Sequence, residues 1–236
     1  MLFKKLISIV YPNRCVICRK KIGENASYTC EICSNIIEYN LKNEAYGYVL
    51  KDFSDLLISP FLYDGIIRKK ILEFKFNNKA YLGKFFGFWI AREIKKKKLY
   101  FDYIVPVPMY YKRKLERGYN QSEILAKEIS KYFTSKFITN VLYKFKKSKV
   151  QSTLKLDERR KNVLGTYLIK NSDKIKGKTI LLVDDIYTTG ATASECAKML
   201  KTNGARKVIV VTIAHGKFSK EEFFNGWTSW KHIRLY

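Results

Sequence analysis

Apolar positions recur with two different periods along this chain of 236 residues, and each change of period marks an element. Continuous aliphatic runs with the character of buried strands lie at residues 103–108, where Tyr-Ile-Val-Pro-Val-Pro is stopped by its prolines, and at 178–184 and 207–214. A further strand is expected at 138–145. Helical spacing follows Tyr63, Gly65 and Arg68, through Ile71, Leu72, Phe74 and Phe76. It returns over 80–98, 122–133 and 191–202, the last closed by Asn203-Gly204. Residues 113–121 read as a polar loop, and 146–164 as a long basic stretch without a period. Strands alternating with helices in this way predict an α/β domain. Its sheet is mainly parallel, and a ligand is expected at the carboxyl ends of the strands.

Ahead of that pattern the text is different. Residues 1–10 form a short amphipathic lead-in, 11–36 hold four cysteines, and 37–58 are weakly patterned. The apolar content of 47% over this length suffices for one full-sized core and one small appendage. No apolar run approaches the ~18 residues of a membrane span, and the run at 6–10 is too short for a signal-peptide core. A soluble, cytoplasmic protein is the expectation.

The net charge of +25 suggests a polyanionic partner, because lysines near a phosphate backbone release counterions. An A+T-rich coding bias accounts for much of it, since 36 of the 46 basic residues are lysine. The run Lys95-Lys-Lys-Lys98 is first of all a helix C-terminus complementing the dipole. Arginine is scarcer and better placed: Arg68, Arg113, Arg117, Arg159 and Arg160 fall in or beside motif-like segments. The aromatic residues are by default core, although aromatics beside lysines also suit single-stranded nucleic acid.

Two segments carry recognisable chemistry. In Ile180-Leu-Leu-Val-Asp184-Asp185-Ile-Tyr-Thr188-Thr189-Gly190-Ala191-Thr192 a buried strand runs into adjacent acids and then into small residues that open a helix. Backbone N–H groups and hydroxyls from Thr188, Thr189, Gly190, Ala191 and Thr192 can wrap a phosphate at the helix N-terminus. Carboxylates would repel that phosphate, so Asp184 and Asp185 suit ribose hydroxyls instead. The stretch resembles the 5-phosphoribosyl 1-diphosphate (PRPP) binding motif of type I phosphoribosyltransferases. Neither an ATP P-loop nor a dinucleotide glycine motif occurs. The second segment is the pair of knuckles Cys15-Val-Ile-Cys18 and Cys30-Glu-Ile-Cys33. Four thiolates from two turns satisfy a closed tetrahedral Zn²⁺, which a segment of this size needs in order to fold. Disulfides are the competing reading; Cys196, unpaired in a helical stretch, fits a reducing compartment and a place in the core.

Four segments in order then resemble the ComF (ComFC) competence-protein family: the double Cys-x-x-Cys, Tyr63-x-Gly-x-x-Arg68 followed by Phe74-Lys75, Val105-Pro-Val-Pro108 with Arg117-Gly-Tyr-Asn-Gln121, and the Asp-Asp-x-x-Thr-Thr-Gly motif. The resemblance implies a type I phosphoribosyltransferase-like parallel sheet with an N-terminal zinc-binding module, and a role in natural transformation. It divides the chain into a zinc module with lead-in at 1–36, a connector at 37–60, a phosphoribosyltransferase-like domain at 61–216 and a tail at 217–236. It assigns Asp184 and Asp185 to ribose, residues 188–192 to the 5-phosphate, and residues 109–112 to the diphosphate. Arg159 is assigned to a flexible loop that closes over the ligand, and Arg113 and Arg117 to DNA or diphosphate. Lys149 near Gln151, and Ala214-His215 at the last strand, depart from the expected arginines; His215 reads as a loop or packing residue. PRPP with Mg²⁺ is the implied ligand, single-stranded DNA the implied partner, and a helicase-type or other DNA-uptake protein a further one. A true phosphoribosyltransferase with a base or amine acceptor is the other reading.

Overall fold

The computed structural model describes residues 13–23, 28–40, 53–146 and 163–216. The lead-in, the tail from 217 onward and Arg159 with its neighbours Lys149, Gln151 and Arg160 lie outside the described residues. Five parallel strands form the main sheet: β1 (Leu56–Ile58), β3 (Tyr103–Pro106), β4 (Lys136–Phe137), β7 (Thr179–Val183) and β9 (Lys207–Val211), in the order β1-β9-β7-β3-β4. The aliphatic run before the acid pair therefore becomes the central strand, with all five residues buried. Successive side chains of β7 point to opposite faces. Leu181 and Val183 enter one core with the helices α2 (Gly65–Phe76), α3 (Leu82–Lys96) and α5 (Gln121–Ser130), whereas Ile180 and Leu182 enter a second core with α6 (Ala191–Thr202). Cys196 is fully buried in that second core, as its helical context predicts.

Three strands do not stop where the main sheet ends. After a two-residue break, β1, β9 and β7 continue as β2 (Phe61–Leu62), β10 (Ala214–His215) and β8 (Ile186–Tyr187), which pair in parallel in the same spatial order. The breaks fall side by side at residues 59–60, 212–213 and 184–185. Backbone bonds still cross them: Thr212 N–H donates to Ile58 O at 2.9 Å, and Ile213 N–H donates to Asp185 O at 2.9 Å. The polar side chains at the breaks are buried against each other, with Ser59 Oγ and Thr212 Oγ1 2.6 Å apart. The expected single strand at 207–214 is thus two strands with a polar joint, and the same joint in the central chain falls at Asp184 and Asp185. His215 packs inside β10.

Elsewhere the pattern needed revision. The expected polar loop at 113–121 begins as a helix, α4 (Tyr111–Arg117), built from residues of good helix propensity and ended by Gly118 in the left-handed region at φ 83°. Of the expected strand at 138–145 only β5 (Leu142–Lys144) forms, pairing antiparallel with β6 (Tyr167–Ile169), while the edge strand β4 of the main sheet lies just before it. The weakly patterned stretch before residue 60 contributes the edge strand β1.

Candidate functional site

The cysteine segment places its sulfurs together. Cys15 and Cys18 sit on a tight turn in which Arg19 N–H donates to Cys15 O and Cys15 N–H donates to Lys20 O, both at 2.9 Å. Cys30 is the N-cap of the short helix α1 (Glu31–Asn35), and Cys33 lies within it. All four Sγ atoms lie within 4.8 Å of one another, and those of Cys18 and Cys30 are 3.7 Å apart. A tetrahedral site with Zn–S of about 2.3 Å requires an S···S edge of about 3.8 Å. A disulfide would need about 2.05 Å, and the described cysteines are all free thiols. Burial works against ionising Cys15, yet N–H groups of Cys18, Cys30 and Ile17 outweigh it and bring the thiol down to about 6. Cys33 is pushed up to about 12 by burial and by the neighbouring sulfurs. Four thiolates in that space require a cation, so the donor set fits a structural metal.

This segment is fused to the larger domain. Val16 and Ile37 join the first core, Tyr28 packs on Phe85 and Phe88, and Tyr39 lies 5.1 Å from the Trp89 ring. Its last residues reach the cavity side. Glu38 accepts N–H bonds from Ile66 and Ile67 at the start of α2, while the Asp64 side chain accepts from Gly65 N–H. Gly65 stands at φ 45°, a left-handed conformation that favours glycine, and a Cβ there would also push the Glu38 carboxylate off these N–H groups.

At the carboxyl end of β7 the acids take unequal positions. Asp184 accepts from Ser122 Oγ at 3.0 Å and from the N–H of Asp185 at 2.8 Å. Burial, with the adjacent Asp185 carboxylate second, raises the Asp184 carboxyl to about 7. Asp185 pairs with Lys75 Nζ at 2.9 Å, both side chains being about four-fifths covered. The chain then passes through β8 into the loop of Thr188, Thr189 and Gly190, and α6 starts at Ala191. Gly190 stands at φ 72°, and a Cβ there would meet the Tyr187 hydroxyl at 2.1 Å. The N-cap Gly190 has no side chain to cap this helix, and Thr189 Oγ1 accepts from the Ala191 N–H at a long 3.4 Å, so the remaining N–H groups of the first turn and the dipole suit an anion.

The Arg117-Gly-Tyr-Asn-Gln121 motif acts as a bracket. Gly118 ends α4; Asn120 caps α5 by accepting from Ser122 N–H and donates to Val107 O at 3.0 Å; Tyr119 OH donates to Phe74 O; and Gln121 Nε2 donates to Lys75 O at 3.4 Å. Arg117 donates to Gln121 Oε1 at 2.8 Å and lies 5.0 Å over the exposed Phe76 ring. Its burial lowers its pKa, opposed by Asp185. The motif thereby joins the ends of β3, α2 and α5 around the acid pair.

One cavity of about 790 Å³ receives all of this, within the usual range for ligand pockets. Asp184, Asp185, Thr188, Thr189, Gly190, Ala191 and Thr192 border it, as do Arg113 and Arg117. Met109, Tyr110 and Lys112, from the segment assigned to the diphosphate, also line it. Four further wall residues, Arg68, Lys75, Lys144 and Tyr167, had no ligand assigned to them. Arg68 and Lys75 were present in the motif around 63–75 and carried a signal. Lys144 and Tyr167 carried none: they meet only because β5 and β6 pair, with Lys144 Nζ donating to Tyr167 OH at 3.3 Å. Burial depresses Lys144 and raises Tyr167 well above its ordinary value. Six cations, Arg68, Lys75, Lys112, Arg113, Arg117 and Lys144, face three acids, Glu116, Asp184 and Asp185, so the wall favours a polyanion carrying hydroxyls. Among the described residues no helix is long and apolar enough to cross a membrane.

Comparison with known proteins agrees with this architecture. Residues 115–231 match the phosphoribosyl transferase domain family. The chain is 31% identical over 112 residues to Competence protein F of Haemophilus influenzae, covering 47% of this chain and 49% of that protein. It is 30% identical over 109 residues to DNA utilization protein YhgH of Escherichia coli K12, covering 46% and 47%. With Competence protein ComFC of Streptococcus pneumoniae it shares 32% identity over 151 residues, 63% of each chain. The matched region spans about half the length of the first two relatives.

Proposed function

We propose that this chain, similar to competence proteins F and ComFC and to phosphoribosyl transferase domains, is a ComF-like protein that binds PRPP or a related phosphate ligand in this cavity, binds single-stranded DNA on the adjoining basic surface, and serves DNA uptake in natural transformation. The observation that carries the reading is the convergence on one cavity of a helix N-terminus opened by Gly190, two carboxylates and six cations. In this reading the loop of residues 188–192 holds the 5-phosphate, and Asp184 and Asp185 accept from ribose hydroxyls. Arg113 and residues 109–112 face the diphosphate, and Arg159 joins from outside the described residues. Mg²⁺, when bound with the ligand, would neutralise diphosphate charge. Zinc in the four-cysteine centre would hold the N-terminal segment against α3 and so steady Glu38 at the start of α2. The domain limits at 36, 60 and 216 belong to the same proposal, as do a cytoplasmic location and a helicase-type or other uptake partner.

A second reading, transfer of ribose 5-phosphate to a base or amine, is favoured by one feature. Tyr63, Leu72 and Phe76 give the cavity an apolar wall separate from the phosphate loop, where an acceptor ring could lie. Two titrations on one preparation test both. PRPP with Mg²⁺ should bind by calorimetry. Single-stranded oligonucleotides should bind with little sequence preference and with a log–log salt slope of about −0.7 per phosphate neutralised. Arg113→Ala should weaken both. Absence of oligonucleotide binding at low salt overturns the DNA half; diphosphate release from PRPP on adding a base or amine favours the transferase.

A further inference from the structure

We propose that the exposed helix α4 and the end of α2 form a base-stacking shelf for single-stranded DNA at the mouth of the cavity, with Phe76 and Tyr111 as the two rings on which bases lie. The assignment rests on the DNA half of the proposed function, and it gives that strand its path. α4 has no buried side chain. It holds out two large apolar residues, Tyr111 (58% exposed) and Leu115 (78%), four positions apart and so on one face of the helix. Phe76, the last residue of α2, is 65% exposed beside it. Single apolar residues scattered over a surface need no explanation, but these are grouped, and the rings carry cations. The Arg117 guanidinium lies 5.0 Å from the Phe76 ring centroid and the Lys112 ammonium 6.0 Å from that of Tyr111, while the Tyr110 and Tyr111 rings stand 4.9 Å apart at 55°. Phe76, Tyr110, Lys112, Arg113 and Arg117 also border the cavity, so the shelf continues its rim.

A ring with a cation against it and most of its surface in water suits a nucleobase. The base covers open ring area, the cation meets an adjoining phosphate, and neither contact reads the sequence. α4 is about 10 Å long. Phe76 near its C-terminus and Tyr111 at its start are therefore two to three nucleotides apart, at about 3.4 Å per stacked base. Charge selects the same occupant. Residues 111–117 carry four cations, Lys112, Arg113, Lys114 and Arg117, against the one acid Glu116. Lys114 is taken by Glu123 at 2.7 Å and Arg117 donates to the neutral Gln121, whereas Lys112 and Arg113 make no ion pair with another described residue. A partner protein closing over Tyr111 and Leu115 would have to bury those cations with them; a polyanion supplies their counter-charge. The lysine run at 95–98 fits less well. It lies where α3 leads into β3, at the amino end of the strands and away from the cavity. There Glu93 stands beside Lys97, Glu128 pairs with Lys131, Asp102 pairs with Lys178, and Lys95 already lies over the Tyr132 and Phe133 rings.

The test is fluorescence anisotropy of the full chain with labelled oligothymidylate and with an abasic deoxyribose-phosphate strand of equal length, which keeps the phosphates and lacks the bases. The wild type should bind oligothymidylate about tenfold or more tighter than the abasic strand, a comparison that needs no variant. Tyr111→Leu and Phe76→Leu keep apolar bulk without a ring face; each should lose about tenfold on oligothymidylate and little on the abasic strand, whereas Phe76→Trp should keep the preference for bases. Tyr111 does not border the cavity, so Tyr111→Leu should retain the wild-type PRPP affinity and melting temperature. Changing Lys95, Lys96, Lys97 and Lys98 together to Gln should weaken both strands alike; loss of the preference for bases in that variant would place the stacking at the other end of the sheet and overturn the assignment. Equal affinity of the wild type for the two strands, or wild-type affinity in both leucine variants, overturns the shelf while leaving DNA binding by charge standing. A changed oligomeric state of Tyr111→Leu in sedimentation, with oligonucleotide affinity unaltered, overturns it in favour of an interface between copies of the chain. A wild type that binds neither strand at low salt overturns the DNA reading itself, and the shelf with it.

Discussion

Replacing Asp184 by Asn should stabilise the ligand-free protein at alkaline pH while weakening its ligand site. In the folded chain burial and the neighbouring Asp185 carboxylate lift the Asp184 carboxyl from 3.8 to about 7. The folded state then holds a proton that the unfolded state has released, and stability falls as pH rises from about 4 to about 7. A displacement of that size corresponds to at most about 4 kcal/mol. Asp185 and Lys75 share in this titration, so about 1–2 kcal/mol is the working expectation. Asn keeps the oxygen that accepts from Ser122 and from the Asp185 N–H and removes the charge. Urea unfolding at several pH values between 5 and 8 reads the difference. The wild type should lose stability toward pH 8, and Asp184→Asn should lose less, crossing to become the more stable protein. At pH 8, where this carboxyl is ionised, the same substitution should weaken PRPP binding by about 1–3 kcal/mol through loss of a charged hydrogen bond. Parallel pH profiles for the two proteins would refute the claim that Asp184 is held protonated by its surroundings.

Gly190→Ala should lower stability by about 1–3 kcal/mol, because the left-handed backbone and the Tyr187 hydroxyl both exclude a Cβ. Phosphate binding should fall with it, as shown by chemical denaturation alongside calorimetry. Cys30→Ser should lower zinc content by metal analysis and solubility together, since the remaining three sulfurs cannot close the tetrahedron. A variant that keeps stoichiometric zinc would remove the four-cysteine assignment.

Much of the site could be read locally. The strand before the acids, the small residues after them and the helix at Ala191–Thr202 are contiguous, so hydrophobic period and helix-start chemistry sufficed to place them. The cysteine knuckles were equally legible, because two tight turns need only their own few residues to aim four sulfurs inward. Misreadings came where local signals compete. Residues 113–121 are so polar that they looked like a loop, yet 113–117 belong to α4, an exposed helix with no buried side chain whose stability owes more to propensity and the Gly118 cap than to packing. Thr212 within an aliphatic run hid a break in the strand, because one polar position does not announce a joint unless its partner is known.

The sequence by itself determined the kinds of element, the acid-acid-loop order and the four-cysteine spacing, since period, capping and turn chemistry act over a few residues. Only the tertiary structure decided what stands against the acids. Ser122 reaches Asp184 across 62 positions of chain, and Ser59 meets Thr212 across 153. Lys75 reaches Asp185 from a different helix, and Lys144 meets Tyr167 through an antiparallel pairing that no periodicity specifies. These contacts depend on strand order and on the shared break in three adjacent strands, which follow from how the whole chain closes its two cores. Charge compensation inside the cavity is therefore a property of the packed fold, while the ligand loop is a property of thirteen consecutive residues, Ile180 through Thr192.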